Sequence, residues 1–179
     1  GNPVPADGAL SVTAPLLQWT KGDGAIFHNV YLGTTPDLTE ANRVASRQPF
    51  EMYYHVAGFQ AGVMYYWRVD EIEGSGAAIT GDVWHFLTQA LTAYYPTPAD
   101  KAANVSPTTT LSWMPGQGAT KHHLYFGDNL DAVTQGAAAV DKGLLTETTF
   151  HPGPLESVKT YYWRVDETVT DGSVKAGPV

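Results

Sequence analysis

The 179-residue chain contains no cysteine, which excludes a disulfide framework, a thiolate metal site and a cysteine nucleophile. It is also short of charge, and of positive charge above all. Charged residues make up 16%, and 10 basic against 18 acidic side chains leave a formal charge of −8. Without a basic stripe to neutralise phosphates, nucleic acid and anionic membranes are poor partners. No apolar run approaches the ~18 residues of a membrane span, so no insertion into a bilayer is expected. No leader-like stretch opens the chain, which therefore reads as a mature product or an excised piece. What the chain does have is 43% hydrophobic residues, enough to build packed cores.

The second feature is duplication. The string YYWRVDE occurs at Tyr65–Glu71 and again at Tyr161–Glu167, 96 residues later. Leu17-Gln-Trp19 matches Leu111-Ser-Trp113, and Val30-Tyr-Leu-Gly33 matches Leu124-Tyr-Phe-Gly127, both at a spacing of 94. Pro5-Ala-Asp7 matches Pro98-Ala-Asp100 at 93. Order is kept while spacing drifts, as loop insertions would produce. Units of this length exceed the ~20–45 residues of solenoid repeats, so each is expected to be a domain with its own core. The expected division is 1–92 and 93–179, with Pro96 and Pro98 stiffening entry to the second half.

Within each unit the period is two. Tyr65, Trp67 and Val69 fall on one face of their segment, Tyr66, Arg68 and Asp70 on the other. His28, Val30 and Leu32 oppose Asn29 and Tyr31, while His122, Leu124 and Phe126 oppose His123 and Tyr125. This alternation marks half-buried antiparallel strands. Turn signals at Gly22-Asp-Gly24, Gly74-Ser-Gly76, Pro115–Gly118 and Asp171-Gly172 separate them. Many short strands with such punctuation predict an all-β chain of two sandwiches, with a barrel as the alternative. Helix is expected only as a turn or two around Asp37–Val44, with Asp37 as cap, and Asn129–Thr134.

With a core tryptophan at Trp19 and Trp113, and a large apolar residue six before a tyrosine (Phe59 before Tyr65, Leu155 before Tyr161), both halves resemble fibronectin type III-like repeats. These are immunoglobulin-like sandwiches, found among other places in bacterial secreted and surface proteins. The resemblance implies that Tyr65 and Tyr161 hydrogen-bond back to the preceding turn. It also implies an extracytoplasmic setting and a non-catalytic role, as a spacer or interaction module. Two other settings fit it: a carbohydrate-binding module of a polysaccharide-degrading enzyme, or a subunit of a surface filament. Gly81-Asp-Val-Trp84 opens the last strand of the first unit, whereas Gly177-Pro-Val179 reaches the same place without its tryptophan. The second unit is therefore expected to lack its final strand.

Candidate chemistry is thin. His28 and His122, like His55 and His151, recur in both halves, but His28 and His122 lie on the expected core face. No third ligand recurs at metal spacing, so no metal and no cofactor is expected. Asp70, Glu71, Glu73 and Asp82, with Asp166, Glu167 and Asp171 in the second half, could hold calcium. Arg68 and Arg164 share the face of Asp70 and Asp166, and an exposed ion pair accounts for them more simply. No Gly-x-Ser-x-Gly elbow or phosphate-cradling loop appears, and no catalytic residues are assigned. The remaining candidates are outward tyrosines, Tyr31, Tyr66, Tyr125 and Tyr162, together with Tyr94 and Tyr95 at the junction. Planar side chains with polar tips suit stacking against sugar rings; cross-strand packing is the alternative. Expected partners are a polysaccharide or neighbouring protein modules or subunits.

Overall fold

The computed structural model describes residues 1–179, which divide into two compact units, Gly1–Gln89 and Ala90–Val179. Both are built of β-strands with little helix. In the first unit, β1 (Ala9–Val12), β2 (Leu16–Gln18), β3 (Ala25–Gly33), β4 (Arg43–Gln48), β5 (Met52–Tyr54), β6 (Met64–Glu73), β7 (Ala78–Ile79) and β8 (Val83–Thr88) follow in order. One sheet runs β1-β8-β6-β3-β4, with β7 also on β6; the other pairs β2 with β5, and a bridge from Val4 to Gln18 extends it. The β-rich composition and the two facing layers identify a sandwich, not a barrel.

Alternation decides which side chains fill the sandwich. Tyr65, Trp67 and Val69 of β6, Val30 and Leu32 of β3, and Phe86 of β8 meet Leu17 and Trp19 from the other sheet in a single buried cluster. Trp67 is fully buried, and its ring lies 6.3 Å from that of Trp19 and 4.8 Å from that of Trp84. Burying an indole removes about 150–250 Å² from water, which makes these rings the largest single contributors to the core.

The second unit repeats the plan. Its strands are β9 (Tyr94–Thr97), β10 (Leu111–Met114), β11 (Ala119–Gly127), β12 (Asp141–Leu145), β13 (Thr149–Phe150), β14 (Tyr162–Val169) and β15 (Val174–Lys175), with α1 (Leu130–Gln135) between β11 and β12. The sheets run β12-β11-β14-β15 and β13-β10-β9. Trp113, Leu124 and Val165 form the core, with Trp163 packed against them. On the side of β6 where β8 pairs with Tyr66–Arg68, the equivalent residues of β14 have no strand beside them.

Two local expectations are corrected. A 3-10 turn at Glu40–Asn42 follows Thr39, not Asp37; the Asn42 carboxamide oxygen accepts from the Thr39 N–H at 2.9 Å and its hydroxyl at 3.2 Å, closing the turn from the other end. His55 and His151 are not equivalent either. Leu17 pairs with Tyr53 and Leu111 with Phe150, so His151 stands where the first unit has Tyr54. His55 consequently turns inward and stacks on Phe59 at 5.4 Å, while His151 is exposed.

Candidate functional site

The outer face of the larger sheet carries the same arrangement in both units. Arg68 lies over the ring of Tyr31 at 4.3 Å, pairs with Asp70 at 2.7 and 3.0 Å and donates to the Leu38 carbonyl. Asp70 also accepts the Gly81 N–H at 3.1 Å. Arg164 stands over Tyr125 at 4.7 Å, pairs with Asp166 at 2.8 Å and donates to the Thr134 carbonyl; Asp166 accepts the Gly177 N–H at 3.1 Å. A β-carbon at Gly81 or Gly177 would fall 2.2 or 2.3 Å from the carbonyl oxygen of Val69 or Val165, so only glycine fits there. Asp70 and Asp166 are buried. The expectation of an exposed ion pair is therefore corrected: the charges are enclosed because the segments after β3 and β11 fold back over this face.

That covering settles the placement of the outward tyrosines. Tyr31 is 3% exposed, and its hydroxyl donates to Glu40 at 2.7 Å. It does face away from the tryptophan core, but the Arg68 guanidinium and the returning segment leave no ring face for a sugar. Tyr125 is half-buried between Arg164 and the ring of His123, stacked at 4.7 Å. Tyr66 is half-buried against His85 at 5.9 Å, and His85 is held by Asp7 at 2.8 Å. Tyr162 is half-buried too, as is Tyr94 within β9. Tyr95 alone of the six is open, at 55% exposure, with a left-handed backbone, φ 53°. Within the first unit Tyr31 is covered and Tyr66 packs on His85, so the two make no shared stacking platform.

A second repeated set lies inside. Trp19 meets His28 edge-on at 5.4 Å, and Trp113 meets His122 likewise at 5.7 Å. Glu71 accepts the Gly22 N–H through both oxygens, at 2.8 and 2.9 Å. Glu167 accepts the Gly116 N–H at 2.7 Å and holds His122 Nδ1 at 3.0 Å. Burial pushes His28 below its ordinary value of 6.5 and pushes Glu167 up from 4.5, against the opposing pull of the Gly116 N–H and His122. A β-carbon at Gly22 or Gly116 would sit 2.5 Å from the carboxylate oxygen. Sequence reasoning missed these glutamate–glycine ties. The signal was present, since both glycines precede their histidines by six residues and both glutamates close the shared string.

The carboxylates of this set are engaged by backbone N–H groups, whereas Nδ1 of His28 is buried without a hydrogen-bond partner. A shallow cleft in the first unit is lined by Trp19, Gly22, Val69, Glu71, Gly81 and Trp84, but the Glu71 carboxylate in it is bound by the Gly22 N–H. No three histidine, aspartate or glutamate side chains are grouped to hold a metal ion. The tyrosine hydroxyls behave as the fibronectin resemblance implies: Tyr65 accepts from the Gln60 N–H and Tyr161 from the Glu156 N–H, each at 3.1 Å.

Comparison with known proteins returns no match to a family model and none to a curated protein. Among solved structures, the chain is similar to the chicken CNTN1 FN1–FN3 domains at 14% identity, covering 96% of this chain and 60% of that one, with a TM-score of 0.36. It is similar to the fibronectin(III)-like modules of Clostridium thermocellum CbhA at 12% identity, covering 96% and 86%, with a TM-score of 0.34. Streptomyces avermitilis α-L-rhamnosidase matches at 12% identity over 97% of this chain and 23% of that protein, with a TM-score of 0.38. The chain thus spans 60% of the contactin fragment and about a quarter of the rhamnosidase.

Proposed function

We propose that the chain is a non-catalytic spacer and interaction module of a larger secreted or cell-surface bacterial protein, built of two fibronectin type III-like domains at about 1–92 and 93–179. One observation carries this reading. The four carboxylates of the duplicated string are spent on structure: Asp70 and Asp166 tie an arginine and a glycine N–H, while Glu71 and Glu167 tie Gly22 and Gly116. A reacting group needs a free proton site or lone pair facing a substrate, and these face neighbouring backbone.

A second reading, a carbohydrate-binding module, is favoured by the open ring of Tyr95. Affinity electrophoresis of the intact chain through gels containing soluble neutral polysaccharides separates the two. The spacer reading expects unchanged mobility in every gel. Retardation abolished by Tyr95→Ala would replace it with the carbohydrate-binding reading.

A further inference from the structure

Each unit ties a glycine to a glutamate beside a buried histidine, but the two units hold this set differently. In the second, Glu167 is fully buried. One of its oxygens accepts the Gly116 N–H at 2.7 Å, and the other meets His122 Nδ1 at 3.0 Å. In the first, Glu71 is only half-buried, and both of its oxygens share the single Gly22 N–H, at 2.8 and 2.9 Å. His28 is 1% exposed, and its Nδ1 is left without a partner.

Strand register does not cause this difference. His28 stands opposite Glu71 on β3 and β6 as His122 stands opposite Glu167 on β11 and β14, and each histidine meets its tryptophan edge-on. Which arrangement forms depends on whether Nδ1 carries a proton. A neutral imidazole protonated on Nε2 presents a lone pair at Nδ1, which repels a carboxylate. An imidazolium presents an N–H there, which a carboxylate accepts. With two oxygens on one N–H, Glu71 has acceptor capacity to spare for that bond.

Few charges surround His28. Glu71 on β6 and Glu51, one residue before β5, favour its protonated form, while Lys21, after β2, opposes it. Gln48, its neighbour on β4, and Trp19 are uncharged. Burial outweighs the two carboxylates and holds His28 below its ordinary value of 6.5, so the ring is neutral at pH 7. The Trp19 N–H donates to the Glu51 carbonyl and the Trp113 N–H to that of Thr148, so the second unit has uncharged Thr148 in place of Glu51, and Pro115 in place of Lys21.

We propose that His28 and Glu71 form an acid-operated switch. A proton taken from solvent onto His28 Nδ1 draws the Glu71 carboxylate inward, to bridge the Gly22 N–H and His28 as Glu167 bridges the Gly116 N–H and His122. Trp19, Gly22 and Glu71 all line the cleft of the first unit. The movement is therefore made in the wall of that cleft, whose carboxylate is neutralised by the imidazolium in acid.

Nitrogen-15 NMR of the intact chain between pH 7.5 and 4.5 tests the switch by following the His28 ring nitrogens and the Gly22 amide together. One shared inflection is expected: as Nδ1 gains its proton, the Gly22 amide shifts with it. In Glu71→Gln, which keeps an acceptor for Gly22, the His28 inflection should fall about one pH unit lower, and the Gly22 shift should collapse. A through-space effect of the imidazolium charge would persist in that variant; a carboxylate changing partners would not. Matching circular dichroism at pH 7.5 shows that the variant keeps its fold. A Gly22 shift of equal size in the variant overturns the proposal. In the parent alone, a His28 ring that stays neutral to pH 4.5, or a Gly22 amide that stays still as the ring charges, overturns it as well. The module reading stands apart from these results, because it does not depend on His28.

Discussion

Trp19 and Trp113 show how much of each unit hangs on one side chain. Both are 4% exposed, each touches a histidine and a second tryptophan, and neither indole N–H has a hydrogen-bond partner. Their role is area and shape. Trp19→Ala or Trp113→Ala is expected to cost about 3–5 kcal/mol, enough to unfold the affected unit in a denaturant titration. The histidines beside them make a sharper prediction. The folded-state pKa of His28 lies below 6.5, so the unfolded chain takes up a proton first as pH falls. Stability conferred by neutral His28 is complete above 6.5 and declines below it. Glu167 has the opposite sign. Its folded pKa lies above 4.5, so the unfolded chain releases its proton first, and the stability this group confers on the acid side is lost as pH rises through that window. Urea melts between pH 4.5 and 7.5 should show His28→Phe and Glu167→Gln altering the slope of stability with pH in opposite directions.

At the level of elements, β6 and β14 are organised by their aspartates. Asp70 and Asp166 sit at 10% and 11% side-chain exposure beside arginines at 15% and 12%, and each also caps the glycine N–H eleven residues on. Asp70→Asn or Asp166→Asn leaves a guanidinium under the folded-back segment without its counter-charge. A loss of about 2–4 kcal/mol is expected, read as a lowered melting midpoint. The strands themselves were legible because period-two alternation is a local property: Tyr65, Trp67 and Val69 declare their face without help from the rest of the chain. The covering of that sheet's outer face was not legible. Whether Tyr31 meets water depends on where residues 34–42 return, and alternation says nothing of a segment that is not a strand. The offset between His55 and His151 escaped for a related reason, since identical residue types at similar spacing conceal a one-position change of register that reverses a side chain's direction. The outward side of Met52–Tyr54 was written in the sequence as alternation too, but only its pairing with Leu16–Gln18 shows which half of it is outside.

For the whole molecule, charge works against association. With a formal charge of −8 and a sequence pI of about 5.0, two copies repel at neutral pH, and the repulsion weakens in salt or near pH 5. The duplicated string that first revealed the architecture also shapes how the chain reaches its native state. Trp84 and Phe86 of β8 find Trp67 and Tyr65 by pairing, and β14 presents Tyr162 and Trp163, preceded by Tyr161, on a side that carries no paired strand. While both halves are still unfolded, β8 has two near-identical templates and reaches the native one first chiefly through its shorter loop. Exchange of strands between repeats is the characteristic folding error of such chains, so refolding from denaturant should pass through a trapped fraction that grows when the segment between β6 and β8 is lengthened.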